Sequence, residues 1–316
     1  MPEQLSIPVS DISPSLVSRC LVSIDKWSHA IFNKQDIEVY VLRLDKIHPE
    51  ISGNKWFKLK YHLEKAKARN KTKLISFGGP YSNHLLAVAA SAGSLGFSTA
   101  AYIRGERPAI FSKTLRDAEE HGMELRFLSR AQYNGKKNAF PDNEDLHDPD
   151  GYVIPEGGAD QTGVQGAEEI LRMVSQIEEY THICVAMGTG CTLAGIANSA
   201  GEHQKIIGIP VLKGTSGFQP LNGSWLADPA RLGNIEVIHG DHWGGYAKKS
   251  PLLIDFMNQV YQDSGVPTDF IYTGKLFFSI VRMAGIHAFL PGSKVLVIHS
   301  GGLQGNRSLM PGLLQY

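Results

Sequence analysis

The sequence lacks the features that mark several large classes of protein. Its 316 residues contain 31 basic and 31 acidic side chains, so the formal net charge is zero at pH 7. A neutral chain gives no electrostatic reason to expect nucleic acid or an anionic membrane as a partner. No apolar run reaches the length of about 18 residues that a membrane-spanning helix requires. The first ten residues have no apolar centre either, so no signal peptide is expected. These absences favour a cytoplasmic protein.

Cysteine is also scarce. The three cysteines, Cys20, Cys184 and Cys191, are odd in number and far apart, and no two of them have metal-ligand spacing. We therefore expect neither a disulfide framework nor a metal site. The apolar content of 42% and charged content of 20% are those of an ordinary globular protein. The length suits one large or two medium domains.

Strand-like and helix-like segments alternate along most of the chain. This alternation predicts an α/β protein with parallel sheets that are covered by helices on both faces. The polar residues 132–151 are predicted to cross between two domains, and residues 214–245 are given no element. Predicted strands lie at residues 39–44, 73–77, 98–103, 124–128, 152–155, 181–187, 206–211 and 294–299. Predicted helices lie at residues 57–69, 82–93, 112–121, 163–177, 252–263 and 272–288.

One lysine stands at the start of a predicted helix. Gly53 and Asn54 lie in a tight loop after the strand at 39–44, and Lys55 projects from the first turn of the helix that follows. The positive end of the helix dipole disfavours protonation of an amine at this position. A lysine that forms a Schiff base needs such a lowered pKa. The other interpretation is that Lys55, Lys58 and Lys60 are solvated residues on a surface helix.

Glycine-rich turns follow four of the predicted strands, at residues 78–79, 157–158, 188–190 and 301–302. One of these turns comes after a buried strand and opens a helix, so its amides and hydroxyls are candidates to bind a phosphate group. It matches neither a P-loop nor a dinucleotide-binding motif, and such turns are often only tight connections. The residues of this turn are Gly188, Thr189, Gly190, Cys191 and Thr192.

Polar residues also stand beside two of the other turns. Ser82 is predicted to cap the helix at 82–93, and Ser82 and Asn83 are expected to face the ligand crevice as well. These two roles are compatible, because ligands gather at the carboxyl ends of parallel strands. His84 and His299 lie beside glycine turns and are predicted to be structural.

Taken together, these motifs resemble the pyridoxal-phosphate enzymes with the tryptophan synthase β-like fold, also called fold type II. More narrowly, they resemble the branch that contains 1-aminocyclopropane-1-carboxylate (ACC) deaminase and D-cysteine desulfhydrase. The matching residues run in the family's order between positions 40 and 305. They are Gly53-Asn54-Lys55, Lys58-Leu59, Gly78-Gly79, Ser82-Asn83, Pro155, Gly157-Gly158, Gly188-Thr189-Gly190, Thr268-Asp269, Tyr272, Gly274-Lys275 and Ile298-His299-Ser300-Gly301-Gly302.

The resemblance implies how pyridoxal 5'-phosphate is held. Lys55 matches the lysine that holds the cofactor covalently and later carries a proton. Asn83 matches the residue that hydrogen-bonds the phenolic oxygen of the cofactor, and residues 188–192 match the phosphate cup. Ser300 falls where many members of this fold place a hydroxyl against the pyridine nitrogen. A neutral hydroxyl does not enforce a protonated ring, which suits elimination better than transamination.

The resemblance also implies a layout and an assembly. It predicts a two-domain, three-layer, parallel-sheet fold with the cofactor between the domains. Residues 56–150 would form the smaller domain, and residues 1–55 with 151–316 the larger one. Ser82 matches the hydroxyl near the substrate carboxylate or reacting carbon, and Tyr272 matches an active-site tyrosine on the substrate side. A homodimer is expected.

The implied reaction is β-elimination or deamination of a small amino acid, as in D-cysteine desulfhydrase, giving a 2-oxo acid and ammonia. ACC deaminases carry a second tyrosine where this chain has Val297, and an aliphatic residue where it has Ser300. Both departures count against ACC deaminase activity. Phe57 stands where an arginine is usual, which leaves the substrate open. ACC deaminase, giving 2-oxobutanoate and ammonia, is the first alternative. A nucleotide- or phosphate-binding α/β protein without the cofactor and a non-catalytic cofactor carrier are the others.

Overall fold

The computed structural model of the protein describes residues 3–6, 21–138, 148–213 and 224–316. Its strands are β1 (Glu3–Ser6), β2 (Leu21–Lys26), β3 (Glu38–Arg43), β4 (Lys73–Gly78), β5 (Ser98–Arg104), β6 (Met123–Leu128), β7 (Gly151–Ile154), β8 (His182–Met187), β9 (Lys205–Pro210), β10 (Ile235–Val237) and β11 (Lys294–His299). Its α-helices are α1 (Ala30–Lys34), α2 (Asn54–Ala68), α3 (Asn83–Gly93), α4 (Lys113–Glu120), α5 (Arg130–Asn138), α6 (Gln161–Ala167), α7 (Cys191–Ser199), α8 (Pro251–Ser264) and α9 (Thr273–Gly285).

The larger sheet has seven strands in the order β1-β2-β3-β11-β8-β9-β10. Its first two pairings are antiparallel and the other four are parallel. All six residues of β8 are buried, as expected for a parallel strand that helices cover on both faces. Alternate residues of β8 enter two different cores: Ile183 and Val185 join the core that contains α7, and Cys184 and Ala186 join the core that contains α9.

The smaller sheet has four parallel strands in the order β6-β5-β4-β7. Its last strand corrects the predicted domain boundary at residue 150. In β7, Gly151 pairs with Lys73 and Ile154 pairs with Ser76, so residues 151–154 belong to the smaller sheet. The sequence could not show this, because the pairing joins segments almost 80 residues apart in the chain. The rest of the two-domain division stays a prediction.

The predicted crossing at residues 132–151 is also corrected. Its first part is helical, because α5 extends to Asn138 and buries Tyr133 against the smaller sheet. Residues 139–147 of the predicted crossing lie outside the described residues. The chain leaves the smaller sheet only after β7, through the turn at Glu156–Gly158.

Most predicted elements are confirmed, and the strand at residues 294–299 is reproduced without change as β11. The helix predicted at residues 163–177 is too long, because α6 ends at Ala167 and the chain continues through a 3₁₀ turn at Leu171–Met173. Gln176 then takes a left-handed φ of 52°, which a right-handed helix does not accommodate. The described parts of residues 1–35 and 214–245 contain β1, β2, α1 and β10, which the sequence did not predict. Among the described residues, no helix is long and apolar enough to cross a membrane.

Candidate active site

A cavity of about 810 Å³ lies between the carboxyl ends of the two sheets. Its lining comes from segments that follow β4, β5 and β7 of the smaller sheet and β8, β9 and β11 of the larger one. This is the place where parallel α/β sheets bind ligands. Nine of the ten residues that the sequence proposed for the site line this cavity: Lys55, Ser82, Asn83, Gly188, Thr189, Gly190, Thr192, Tyr272 and Ser300.

The tenth, Cys191, is not among the residues that line the cavity. Its side chain is fully buried and its thiol donates to the carbonyl oxygen of Gly158 at 3.5 Å, away from the cavity. Burial raises the pKa of the thiol, so it stays neutral. The contact predicted for Cys191 therefore rests on its backbone N–H, in the first turn of α7, and it stays a prediction.

The loop that carries Lys55 is pressed against the end of β11. Gly53 has φ 65° and ψ −139°, a conformation that favours glycine. A Cβ at Gly53 would lie only 1.9 Å from the carbonyl oxygen of Ser300. The same carbonyl accepts the backbone N–H of Asn54 at 3.2 Å. The first turn of α2 is thereby fixed on the larger sheet, and the Lys55 amine lies 5.5 Å from the centre of the Tyr272 ring.

The environment of Lys55 favours a neutral amine. Burial lowers the pKa of Lys55 to about 8, and the charge of Lys58 acts in the same direction, while Asp269 opposes both. Lys58 is itself buried and donates to the carbonyl oxygen of Gly157 at 3.0 Å. The interpretation of these lysines as a solvated helix face is therefore wrong for Lys55 and Lys58.

Two buried amide side chains have polar atoms that point to a ligand. Asn83 donates weakly to the carbonyl oxygen of Gly302 at 3.4 Å, and Asn54 donates to the hydroxyl of Thr192 at 2.8 Å. The side-chain oxygens of Asn83 and Asn54 have no hydrogen-bond partner in the part of the chain that the structure describes. Because buried polar atoms normally find partners, these oxygens fit a cavity that is completed by a polar cofactor.

The glycine turn after β8 has the shape of an anion cradle. Gly190 has a left-handed φ of 83° and stands directly before α7, whose first backbone N–H groups have no partner within the helix. A Cβ at Gly188 would lie 3.3 Å from the Tyr272 ring, so the turn approaches the cavity wall closely. Thr192 accepts from Asn54, which leaves its own O–H free to donate. These donors fit a phosphate group.

A buried ionic network supports the turn that carries Ser300. His299 is fully buried and contacts the carbonyl oxygen of Pro267 at 2.7 Å. Its other ring nitrogen lies 3.3 Å from Asp45, whose carboxylate accepts two hydrogen bonds from Arg43 at 2.8 and 2.7 Å. Burial alone would raise the pKa of Asp45, but His299 and Arg43 outweigh it and hold the pKa low. These contacts give His299 a structural role.

Asp269 fixes the start of α9 and with it Tyr272. Its carboxylate accepts the backbone N–H groups of Ile271, Tyr272 and Thr273, each at 2.9 Å, and the Thr273 hydroxyl at 2.7 Å. Burial raises the pKa of Tyr272 well above its usual value, and Tyr246 raises it further. Tyr272 is therefore a neutral phenol beside the Lys55 amine.

Three polar side chains that line the cavity, those of Tyr81, Arg104 and Glu156, were not predicted. Each stands at or just after the carboxyl end of a strand, so the rule about strand ends could have found them. Tyr246, which follows Gly244-Gly245, was weighed from the sequence equally as a residue of the substrate side and as an ordinary loop aromatic; it lines the cavity, and its ring lies 6.1 Å from that of Tyr272. His84 also lines the cavity, and burial lowers its pKa to about 3, so its ring is neutral.

The fold and these groups are those of a pyridoxal-phosphate enzyme, and comparison with known proteins gives the same class. The family described as pyridoxal-phosphate dependent enzyme matches residues 27–301, and the chain belongs to this family. The predicted resemblance, α/β fold and cofactor are confirmed. The interpretation as a nucleotide- or phosphate-binding protein without the cofactor is wrong.

Within this family, the chain is similar to relatives with two named activities. The chain is 26% identical over 294 residues to the bifunctional D-cysteine desulfhydrase/1-aminocyclopropane-1-carboxylate deaminase of Arabidopsis thaliana, covering 85% of this chain and 73% of that protein. It is 25% identical over 295 residues to D-cysteine desulfhydrase of Salmonella typhi, covering 84% and 87%. A crystal structure of an ACC deaminase homologue matches with a TM-score of 0.76 and 26% identity, covering 94% of this chain and 97% of that one.

Proposed function

We propose that the protein catalyses β-elimination from a small amino acid, in the manner of D-cysteine desulfhydrase, to give a 2-oxo acid and ammonia. The observation that carries the proposal is the Lys55 amine, whose pKa burial lowers to about 8 and which lies beside the neutral phenol of Tyr272. A lysine in this state can bind an aldehyde covalently and can also act as a base near neutral pH.

Different residues around the cavity would bind different groups of the cofactor. Lys55 would hold its aldehyde carbon, Asn83 its phenolic oxygen, Ser300 its ring nitrogen and residues 188–192 its phosphate. When bound, pyridoxal phosphate withdraws electrons from the α-carbon of the attached amino acid. The amide nitrogen of Asn83, whose hydrogen bond to the Gly302 carbonyl oxygen is long at 3.4 Å, and the free donors at the start of α7 support this arrangement.

The side chains of this protein then act on the substrate. With its amine free, Lys55 would take the α-proton of the substrate onto Nζ. The bond to the β-substituent would break, and the leaving group would depart with its electron pair and take up a proton, for which the neutral Tyr272 phenol is the proposed donor. Ser82 caps α3 and lines the cavity, and it would contact the substrate carboxylate. Lys55 would then rebind the aldehyde carbon and so release the product nitrogen, and water would replace that nitrogen at the α-carbon to give the 2-oxo acid and ammonia.

ACC deaminase is the second candidate. Val297, at the position of the second tyrosine of ACC deaminases, is fully buried in the core of the larger sheet and does not line the cavity. One observation nevertheless favours this candidate: a different second tyrosine, Tyr246, reaches the site and packs against Tyr272. The names of the relatives cover both activities.

A substrate panel tests the proposal. The cofactor-loaded protein is offered D-cysteine, D-serine, β-chloro-D-alanine, their L-enantiomers and ACC, and the 2-oxo acid is quantified. We expect turnover of at least one β-substituted D-amino acid and none of ACC, with Lys55→Ala as the inactive control. A loaded protein that is inert towards all three D-amino acids would contradict the proposal. Release of 2-oxobutanoate from ACC would favour the second candidate.

Two expectations from the sequence remain proposals as well. We propose a homodimer, as the resemblance to the family implies, and a cytoplasmic location, which the absence of an apolar run supports. Sedimentation equilibrium of the loaded protein tests the first, and a single-chain mass would contradict it. Fractionation of cells that express the chain tests the second.

A further inference from the structure

The loop of residues 241–247 brings Tyr246 to the cavity in an unusual backbone conformation. Trp243, Gly244, Gly245 and Ala247 have φ values of 53°, 88°, 114° and 54°. Left-handed φ values are ordinary for the two glycines but disfavoured for Trp243 and Ala247, whose Cβ atoms crowd the backbone. Such a conformation persists only where contacts from outside the loop hold it.

Lys275 supplies the central contact. It is fully buried, and its amine donates to the carbonyl oxygens of His242 at 3.0 Å and Gly245 at 2.8 Å. Among the described residues, no carboxylate pairs with this amine at ion-pair distance. An amine is costly to bury, and an aliphatic residue would fill the same space without that cost. What the amine adds is two directed bonds to the backbone of the loop.

The helix that carries Lys275 holds the loop at further points along one face. Ser279 and Arg282 both donate to the carboxylate of Asp241, at 2.7 and 2.9 Å. The Trp243 ring packs edge-on against Phe278, with ring centres 4.7 Å apart. Positions 275, 278, 279 and 282 follow the spacing of one helix face. The same helix, α9, begins directly after Tyr272, so one element sets both tyrosines of the cavity.

We infer that Lys275 is a positioning residue that fixes Tyr246 against Tyr272 through the backbone of the 241–247 loop, and that this tyrosine pair determines how tightly the substrate binds. The substrate part of the inference rests on the proposed function. The two rings lie 6.1 Å apart at an angle of 74°, and both side chains line the cavity. Lys275 does not line the cavity, so its effect on the substrate passes through Tyr246.

A double-mutant cycle tests this connection. Lys275→Met, Tyr246→Ala and the double variant are compared with the wild type on β-chloro-D-alanine. Because Lys275→Met removes two directed bonds, we expect KM to rise roughly tenfold, with a smaller change in kcat. Tyr246→Ala should have a similar effect, and the double variant should be no worse than the worse single variant. Lys67→Met, the same change at an exposed lysine of α2, should leave KM unchanged.

Effects that multiply in the double variant would overturn the inference, because Lys275 would then act independently of Tyr246. An unchanged KM in Lys275→Met would overturn it as well. If Lys275→Met does not fold, Lys275→Gln keeps an NH₂ donor group on a shorter side chain and enters the same cycle, with a smaller rise in KM expected.

Amide hydrogen exchange separates this inference from the proposed function. Exchange at residues 243–247 should be faster in Lys275→Met than in the wild type, while exchange in β11 stays the same. This readout needs no turnover. If the wild-type protein turns over no amino acid but Lys275→Met still exchanges faster than the wild type at residues 243–247, the proposed function is contradicted and the positioning role is kept. Unchanged exchange in an active enzyme would contradict the positioning role alone.

Discussion

At the scale of single residues, burial decides the chemistry of Lys55. The sequence argument placed this amine at the positive end of a helix dipole, and the structure does place it in the first turn of α2. The largest cause of its lowered pKa is nevertheless burial, followed by the charge of Lys58. The prediction of a lowered pKa holds, but the tertiary packing around the amine accounts for most of it.

This environment predicts how uptake of the cofactor depends on pH. Only the neutral amine attacks an aldehyde, and the pKa of Lys55 falls from 10.5 to about 8. The rate at which the cofactor-free enzyme takes up pyridoxal phosphate should therefore rise as the pH passes through about 8, and level off above it. Stopped-flow absorbance measures this rate. The same pH titration with Nα-acetyl-lysine, which keeps a free ε-amine, corrects for ionisation of the cofactor.

The same experiment has a matched variant in Lys58→Met. Because the charge of Lys58 lowers the pKa of Lys55, its removal should move the midpoint of uptake to higher pH. A midpoint near 10.5 in the wild type would mean that Lys55 is solvated, and it would contradict the account.

Residues differ in how well the sequence predicts them. Lys55, Ser82, Asn83 and Ser300 are predictable, because each stands at a helix start or a strand end that is visible in the sequence. For Tyr246 the sequence left a place at the cavity and an ordinary loop position equally open, because its position depends on contacts with α9 that lie about 30 residues further along the chain.

At the scale of elements, the site depends on close backbone contact between the start of α2 and the end of β11. Gly53→Ala tests this contact, because its Cβ would lie 1.9 Å from the Ser300 carbonyl oxygen at a φ of 65°. We expect a loss of more than about 3 kcal/mol in the free energy of unfolding, together with weaker uptake of the cofactor. Urea denaturation and absorbance measure the two effects.

Gly96→Ala is the control for this prediction. Gly96 also has a positive φ, 78°, but among the described residues, its own chain neighbours aside, no atom lies within 4 Å of a Cβ placed there. The free energy of unfolding of Gly96→Ala should therefore fall by only about 1–2 kcal/mol, the cost of the left-handed backbone, and this variant should keep its cofactor. Equal losses in the two variants would show that the contact with Ser300 does not matter.

The elements themselves were predictable where local signals agree. The strand at 294–299 is a buried apolar run closed by Ser300-Gly301-Gly302, and it was predicted correctly. The helix at 163–177 was predicted too long, because the chain passes after Ala167 into two 3₁₀ turns. Strand β2, which pairs with β1 and β3, was missed because its segment has no turn residues that mark where a strand begins or ends.

At the scale of the whole molecule, the cofactor site joins the two sheets. Asn83 follows β4 of the smaller sheet, while residues 188–192 and Ser300 follow β8 and β11 of the larger one. The alternation of strands and helices made this α/β arrangement predictable. The boundary between the sheets was not, since β7 joins the smaller sheet by pairing with a distant strand.

A ligand that contacts both sheets should stabilise the molecule as a unit. Pyridoxal phosphate at about 100 times its dissociation constant should add about 2.7 kcal/mol to the free energy of unfolding. We expect the melting temperature of the wild type to rise on loading, and that of Lys55→Ala to rise less, because only non-covalent contacts remain. Differential scanning calorimetry measures both. An equal rise in the two proteins would mean that Lys55 adds nothing to binding.

The most direct test of the central claim is to locate the covalent linkage. The loaded protein is reduced with borohydride, digested and analysed by tandem mass spectrometry, with Lys55→Ala and Lys58→Ala treated in parallel. We predict a visible absorption band that borohydride bleaches, and a reduced pyridoxyl group on Lys55 in the wild type and in Lys58→Ala. Lys55→Ala should show neither. A label on Lys58 or Lys275, or a wild-type protein that stays colourless with the cofactor, would contradict the account.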